Sequence, residues 1–225
     1  HLLRRQRQMC IRDRAMGCST NAIIHLIAIA RRSGIKLTMD KLDKIGRKVP
    51  VIANIRPSGK EYLMEDFYYA GGILSLMYQL YNILNINEKT VVGKKIKEII
   101  KKQNPINEDV IRTLKNPIYK EGSLAVLKGN LAPDGCVIKP AACEKKFLKH
   151  KGPVIVFDSY PEMNKIIDSD DLDVSENHVL VLRNVGPVGG PGMPEWGMIP
   201  IPKKLLKKGV RAVSYTHLRA HETVL

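Results

Sequence analysis

Apolar residues follow two regimes along this chain. Before about Asn104 they recur mainly at helical spacing; after Asn116 they come in short runs bounded by Gly, Pro and Asn, as strands do. Ile23, Ile24, Leu26, Ile27, Ile29 and Ala30 mark a first helix, with Ser19 or Thr20 as N-cap, Arg31 and Arg32 at the negative end of its dipole and Gly34 just past its end. His25 sits within that apolar run and is expected in the core. Thr38 caps a second helix that carries Met39, Leu42 and Ile45 on one stripe. Residues 49–55 (VPVIANI) then read as a buried strand ending at the turn Arg56-Pro-Ser-Gly59. Residues 62–69 are expected as helix with Tyr62, Phe67, Tyr68 and Tyr69 in the core, followed by helices over 73–84 and 94–102.

The polar, proline-bearing stretch 104–117 reads as a connector between domains. Beyond it, residues 123–128 and 136–139 flank the turn-rich Gly129-Asn-Leu-Ala-Pro-Asp-Gly135 as a wide hairpin. Residues 153–158 form another strand, 161–167 a short helix opened by Pro161, 178–184 a further strand, and Pro202 starts one more helix. The order predicts an α/β chain whose two parts are joined near 112/113.

Composition narrows the class. The 225 residues are 44% hydrophobic, enough for real cores, and carry 37 basic against 22 acidic residues, a formal charge of +15. Residues 1–14 and 213–225 resemble translated sequencing-adapter read-through and are expected to be foreign to the fold. Without them the balance is 37 − 6 = 31 basic and 22 − 2 = 20 acidic residues, a net of +11. The remaining lysines are spread over every helix instead of gathering on one face with aromatics between them, which argues against a nucleic-acid-binding module. Cys18, Cys136 and Cys143, with Cys10 in the leader, have no CxxC spacing, so neither a disulfide framework nor a self-contained zinc site is expected. The longest apolar run, 22–30, falls short of the ~20 residues a membrane span takes. A cytoplasmic protein is the expectation.

Chemistry is concentrated where the strand at 178–184 runs into Gly186-Pro-Val-Gly-Gly-Pro-Gly-Met-Pro-Glu-Trp-Gly197. Glycines permit close backbone approach to a ligand and prolines stiffen the path, so the loop can hold its one carboxylate, Glu195, at a fixed point. The same pattern also fits a tight turn with a solvated glutamate. At the other end, Gly17 before Ser19, Thr20 and Asn21 puts hydroxyls and open backbone N–H groups at a helix start, an arrangement that holds carboxylates and phosphates or simply caps the helix.

Together these motifs carry a resemblance. Gly17-Cys-Ser-Thr-Asn-Ala22 with His25-Leu-Ile-Ala28, Pro57-Ser-Gly59, Met64-Glu-Asp-Phe-Tyr-Tyr-Ala-Gly-Gly72, Gly129 to Gly135 and Gly189-Gly-Pro-Gly-Met-Pro-Glu195 are collinear and resemble the dihydroxy-acid and sugar-acid dehydratases over residues 15 to about 211. Residues 64–72 and 192–202 are more similar to the pentonate (arabonate or xylonate) enzymes than to the branched-chain biosynthetic enzyme. The pattern departs at Cys18, where the family has glycine.

The resemblance implies a hydro-lyase that converts a 2,3-dihydroxy acid to a 2-keto-3-deoxy acid with an iron-sulfur cluster, expected to be 2Fe-2S, and Mg2+. It implies that Glu195 is a magnesium ligand and that the cluster cysteines lie upstream and the base serine downstream of this stretch; Ser19, Thr20 and Asn21, at the polar helix start, are the candidate substrate contacts. On that reading residues 15–112 end an α/β/α domain and 113–212 begin a β-barrel-like domain with flanking helices. The chain is then an internal fragment, inactive alone and without bound cofactors, of an enzyme expected to be a homo-oligomer acting on a small-molecule acid, with neither nucleic acid nor membrane as partner.

Overall fold

The computed structural model describes residues 10–56, 58–100, 104–143, 145–185 and 199–210, and its first element is helix α1, residues 10–16. Gly17 ends α1 at φ +99°: Cys18 N donates to Asp13 O (3.1 Å) and Gly17 N to Arg14 O (3.2 Å). This Schellman pair satisfies carbonyls that a helix end otherwise leaves open. α1 turns Cys10, Ile11, Arg14 and Ala15 inward, none more than 2% exposed. The expectation that residues 1–14 add little to the core is therefore corrected for 10–14, because positions 10, 11, 14 and 15 share one helical face. Residues 1–9 and 211–225 lie outside the described residues.

Helix α2 (Thr20–Arg32) starts and stops as its sequence dictates. Ser19 is the N-cap, and at the far end Ile35 N donates to Ala30 O (2.8 Å) and Gly34 N to Arg31 O (3.0 Å), with Gly34 at φ +70°. Its buried residues are Ile23, Leu26 and Ala30, so His25, off that stripe, is exposed and the core expectation for it is corrected. Helix α3 (Met39–Gly46) is capped by Thr38, whose Oγ1 accepts from Lys41 N at 3.3 Å.

Residues 49–55 are buried as expected but form no continuous ladder. Val51, Ala53 and Ile55 make isolated bridges to Tyr119, Ile111 and Tyr62, and their surroundings are the connector and a turn instead of regular strands. Val51 N donates to Tyr119 O (2.9 Å) and Asn54 N to Val110 O (2.8 Å), so the backbone is satisfied one group at a time. Helices α4 (Met64–Tyr69), α5 (Gly72–Gln79) and α6 (Ile96–Ile99) follow, the last two shorter than the periodicity predicts. On α4 only Phe67 enters the core; Tyr68 is 75% and Tyr69 65% exposed, which corrects the expectation that these aromatics are all core.

Strands β1 (Ala125–Leu127) and β2 (Cys136–Ile138) form the expected antiparallel hairpin, which packs on α3 through β1. Asp43 of α3 fixes the contact by accepting Val126 N at 3.1 Å. The described residues divide into two compact units that meet in sequence at Ala142 and Cys143. The connector thus falls inside the first unit, where Val110 (1% exposed) and Ile111 (0%) join a core with Ile52, Phe67, Leu76 and Leu80.

The second unit contains β3 (Val154–Phe157), α7 (Tyr160–Ile166), β4 (Val179–Leu182) and α8 (Lys203–Lys207). Ser159 caps α7 by accepting Glu162 N (3.3 Å), with Pro161 in the first turn. Strands β3 and β4 run parallel, Val154 opposite Val179 through Phe157 opposite Leu182. Phe157, Met163 and Ile167 form the core between sheet and helix.

Candidate active-site segment

The turn between α1 and α2 gathers residues from distant parts of the first unit. Ser58, from the Pro57-Ser-Gly59 motif, donates from Oγ to Gly17 O at 2.9 Å and is buried. A Cβ on Gly17 would lie 2.1 Å from that Oγ, so only hydrogen fits. Lys139, immediately after β2, is buried and donates from Nζ to Cys18 O at 3.1 Å. Cys18 sits at φ +23°, keeping a left-handed backbone at the position where the resembled family has glycine.

Burial governs the ionisation of this cluster. Loss of water, then the neighbouring Asp13 carboxylate, pushes the Cys18 thiol far above its ordinary range, and its Sγ donates to Asp13 Oδ2. Burial likewise raises the Asp13 carboxyl and lowers the Lys139 ammonium, outweighing the attraction between those two groups. The result is a buried polar knot that fixes the start of α2.

The predicted substrate contacts lie just outside this knot. Ser19 is exposed, Thr20 and Asn21 half-buried. Ser19 Oγ accepts Asn21 N at 3.3 Å, the capping role that its position predicts. Glu195 and the glycine-rich stretch 186–198 lie outside the described residues. The approach to that stretch is described: Arg183 N donates to Phe157 O (2.9 Å), Arg183 Nε to Asp158 Oδ1 (2.6 Å) and Asn184 Nδ2 to Asp158 O (3.0 Å). The end of β4 is thereby tied to the end of β3, and Asn184 turns the chain at φ +56°.

Among the described residues, no group of three or more His, Cys, Asp or Glu is placed to hold a metal ion. Cys10, Cys18 and Cys136 are buried, Cys18 Sγ donates to Asp13 Oδ2 and Cys136 Sγ to Leu127 O, and none of the three belongs to such a group. These cysteines do not fit an iron-sulfur ligand set.

Asp13, Lys139 and Asp158 were not singled out by sequence reasoning. Lys139 had a usable signal, a lysine directly after the apolar run Cys136-Val-Ile, whereas Asp13 and Asp158 act through contacts that spacing does not reveal.

Two family models cover most of the chain: the N-terminal domain of dihydroxy-acid/6-phosphogluconate dehydratases matches residues 8–99 and the C-terminal domain matches 109–216. The chain belongs to the dihydroxy-acid/6-phosphogluconate dehydratase family. A 6-deoxy-6-sulfo-D-gluconate dehydratase of Pseudomonas putida is 47% identical over 200 residues, 88% of this chain and 34% of that protein. An L-arabinonate dehydratase of Rhizobium leguminosarum bv. trifolii is 45% identical over 198 residues, 87% of this chain and 34% of its own length. A dihydroxy-acid dehydratase of Methanococcoides burtonii is 43% identical over 187 residues, 81% of this chain and 33% of that protein. The chain therefore spans about a third of the length of these dehydratases. No helix among its described residues is long and apolar enough to cross a membrane.

Proposed function

We propose that this chain is part of a sugar-acid dehydratase, which removes the C2 proton and the C3 hydroxyl of a 2,3-dihydroxy acid as water and releases a 2-keto-3-deoxy acid after the enol tautomerises. The observation that carries the reading is the 47% identity over 200 residues to a dehydratase of a sugar acid. Residues 64–72 and 192–202, pentonate-like in sequence, support the same class.

The roles assigned to this chain's residues are two. Ser19, Thr20 and Asn21, at the start of α2, would orient the substrate by hydrogen bonds to its oxygens; the buried knot of Gly17, Ser58 and Lys139 behind them supports this by fixing where α2 begins. Glu195 would hold Mg2+, since a hard dication favours a carboxylate with substrate oxygens and waters completing its shell. The metal supplies Lewis acidity toward the substrate's oxygens. The cluster that the family reading implies finds no ligand set in the described cysteines and would take its thiolates from elsewhere in the enzyme. Within this reading the two halves remain an α/β/α domain end and a barrel-like domain start, the enzyme a cytoplasmic homo-oligomer.

A second reading, dehydration of a branched-chain dihydroxy acid, is favoured by the 43% identity to the Methanococcoides protein. The two separate in one assay. Residues 15–210 replace the matching third of the Rhizobium L-arabinonate dehydratase, and the purified chimera is given L-arabinonate or 2,3-dihydroxy-3-methylbutanoate. The proposal expects 2-keto acid from the sugar acid. Turnover of the branched-chain acid alone supports the second reading, and a folded, cofactor-loaded chimera inactive on both overturns the dehydratase role.

A further inference from the structure

Lys139 is carried to the start of α2 by the hairpin that ends just before it. Side chains alternate between the faces of β2, and Val137 lies in the core that also holds Cys18, Ile23 and Leu26. Lys139, two residues on, continues that side, and Pro140 after it biases its backbone toward the extended form. A buried ammonium thereby reaches a carbonyl 121 residues away in the chain, Nζ to Cys18 O at 3.1 Å.

That carbonyl governs where the next residues point. Cys18 has φ +23°, a left-handed backbone that a residue with a side chain keeps only where its surroundings hold it. In a trans peptide the carbonyl and the following N–H point in opposite directions, so the bond that draws Cys18 O toward the buried lysine turns the Ser19 N–H away from it. The other contacts of the knot act on other atoms. Ser58 Oγ holds Gly17 O (2.9 Å), and the Cys18 thiol bonds within its own turn, to Asp13 Oδ2 and to Ser19 O (3.2 Å). Removing the ammonium takes the charged donor from Cys18 O and lets the peptide plane between residues 18 and 19 rotate.

We infer that Lys139 is a positioning residue for substrate binding: it holds the peptide between Cys18 and Ser19 so that Ser19, Thr20 and Asn21 present their polar groups to the oxygens of the acid. The inference rests on the substrate contacts proposed for those three residues, and adds that a lysine from the C-terminal stretch sets their orientation. Stability alone does not call for a lysine here, because a buried, hydrogen-bonded charge contributes little over a well-packed apolar side chain of similar volume.

The test uses the cofactor-loaded chimera with L-arabinonate, and this chain by itself. In the chimera Lys139→Met is expected to raise KM on the order of tenfold with kcat changed less than about threefold, and Lys139→Arg, which keeps a charged donor, to restore part of the loss. Cys18→Gly removes the backbone strain and should shrink the effect of Lys139→Met. In this chain Lys139→Met should speed hydrogen exchange of the Cys18, Asn21 and Ala22 amides on the order of tenfold and leave the amides of 125–127 and 136–138 unchanged. A purely structural role would speed both sets and leave KM unmoved. Unchanged KM in Lys139→Met, where Thr20→Val and Asn21→Ala raise it, overturns the inference alone; unchanged KM in all three overturns the substrate contacts with it. If the Lys139→Met chimera is insoluble or inactive, the exchange measurement decides, and unchanged exchange at residues 18, 21 and 22 overturns the inference.

Discussion

Lys139 Nζ donates a hydrogen bond to the carbonyl of Cys18 at 3.1 Å, from a residue in the stretch matched by the C-terminal family model to one in the stretch matched by the N-terminal model. The contact lies within one compact unit. The first hairpin of the C-terminal model is thus structurally part of the N-terminal core, and its lysine fixes the turn from which α2 starts.

The Lys139 ammonium, lowered by burial, makes stability depend on pH in a defined direction. Between its lowered folded-state pKa and the ordinary value of 10.5, the unfolded chain binds more protons than the folded one, so stability rises with pH across that window. Lys139→Met removes this contribution. Urea unfolding of both proteins from pH 7 to 10.5 should show the wild type gaining relative to the variant; parallel curves would contradict the burial of the charge.

Gly17→Ala should destabilise far more than Gly34→Ala. Both glycines have positive φ, a strain of roughly 1 kcal/mol for alanine, but the added methyl at 17 also meets Ser58, while at 34 it meets open space. The expected losses are about 2–4 kcal/mol against about 1 kcal/mol. Thermal unfolding of the pair checks this, and equal losses would show that Ser58 yields without cost.

Much of this was legible in the sequence, and the gaps have physical causes. Ser19, Thr38 and Gly34 sit at the helix ends that their chemistry predicts, because caps are local. The hairpin 125–138 and the strands at 154 and 179 follow from short apolar runs between turn residues. His25, Tyr68 and Tyr69 were misplaced since an apolar run does not say which face of a helix meets the core. The role of Cys18 and Lys139 depends on contact across more than a hundred residues, which no spacing encodes. That α1 would bury Cys10 and Arg14 was hidden by the foreign look of the leader.

Cys18 should resist alkylation. Its thiol is buried and held protonated by desolvation and by Asp13, whereas Cys143 is partly exposed. Iodoacetamide at pH 8 should modify Cys143 well before Cys18 by peptide mass, and urea should abolish the difference. Early labelling of Cys18 in the native chain would place its thiol outside the knot.

Phe157→Ala should unfold the second unit first at its sheet. Phe157 is fully buried between β3, β4 and α7, and removing its ring costs on the order of 3–5 kcal/mol. Hydrogen exchange of the 154–157 and 179–182 amides should accelerate accordingly. Unchanged protection would mean that α7 does not hold the sheet together.

The most direct test of the proposed role is the magnesium dependence of turnover in the Rhizobium chimera carrying Glu195→Gln. The amide keeps the size of the side chain and loses the charge that a hard dication favours. The account predicts a folded protein with turnover reduced at least about tenfold and a higher magnesium requirement, partly restored by Glu195→Asp. Turnover and magnesium dependence equal to those of the unsubstituted chimera would contradict it.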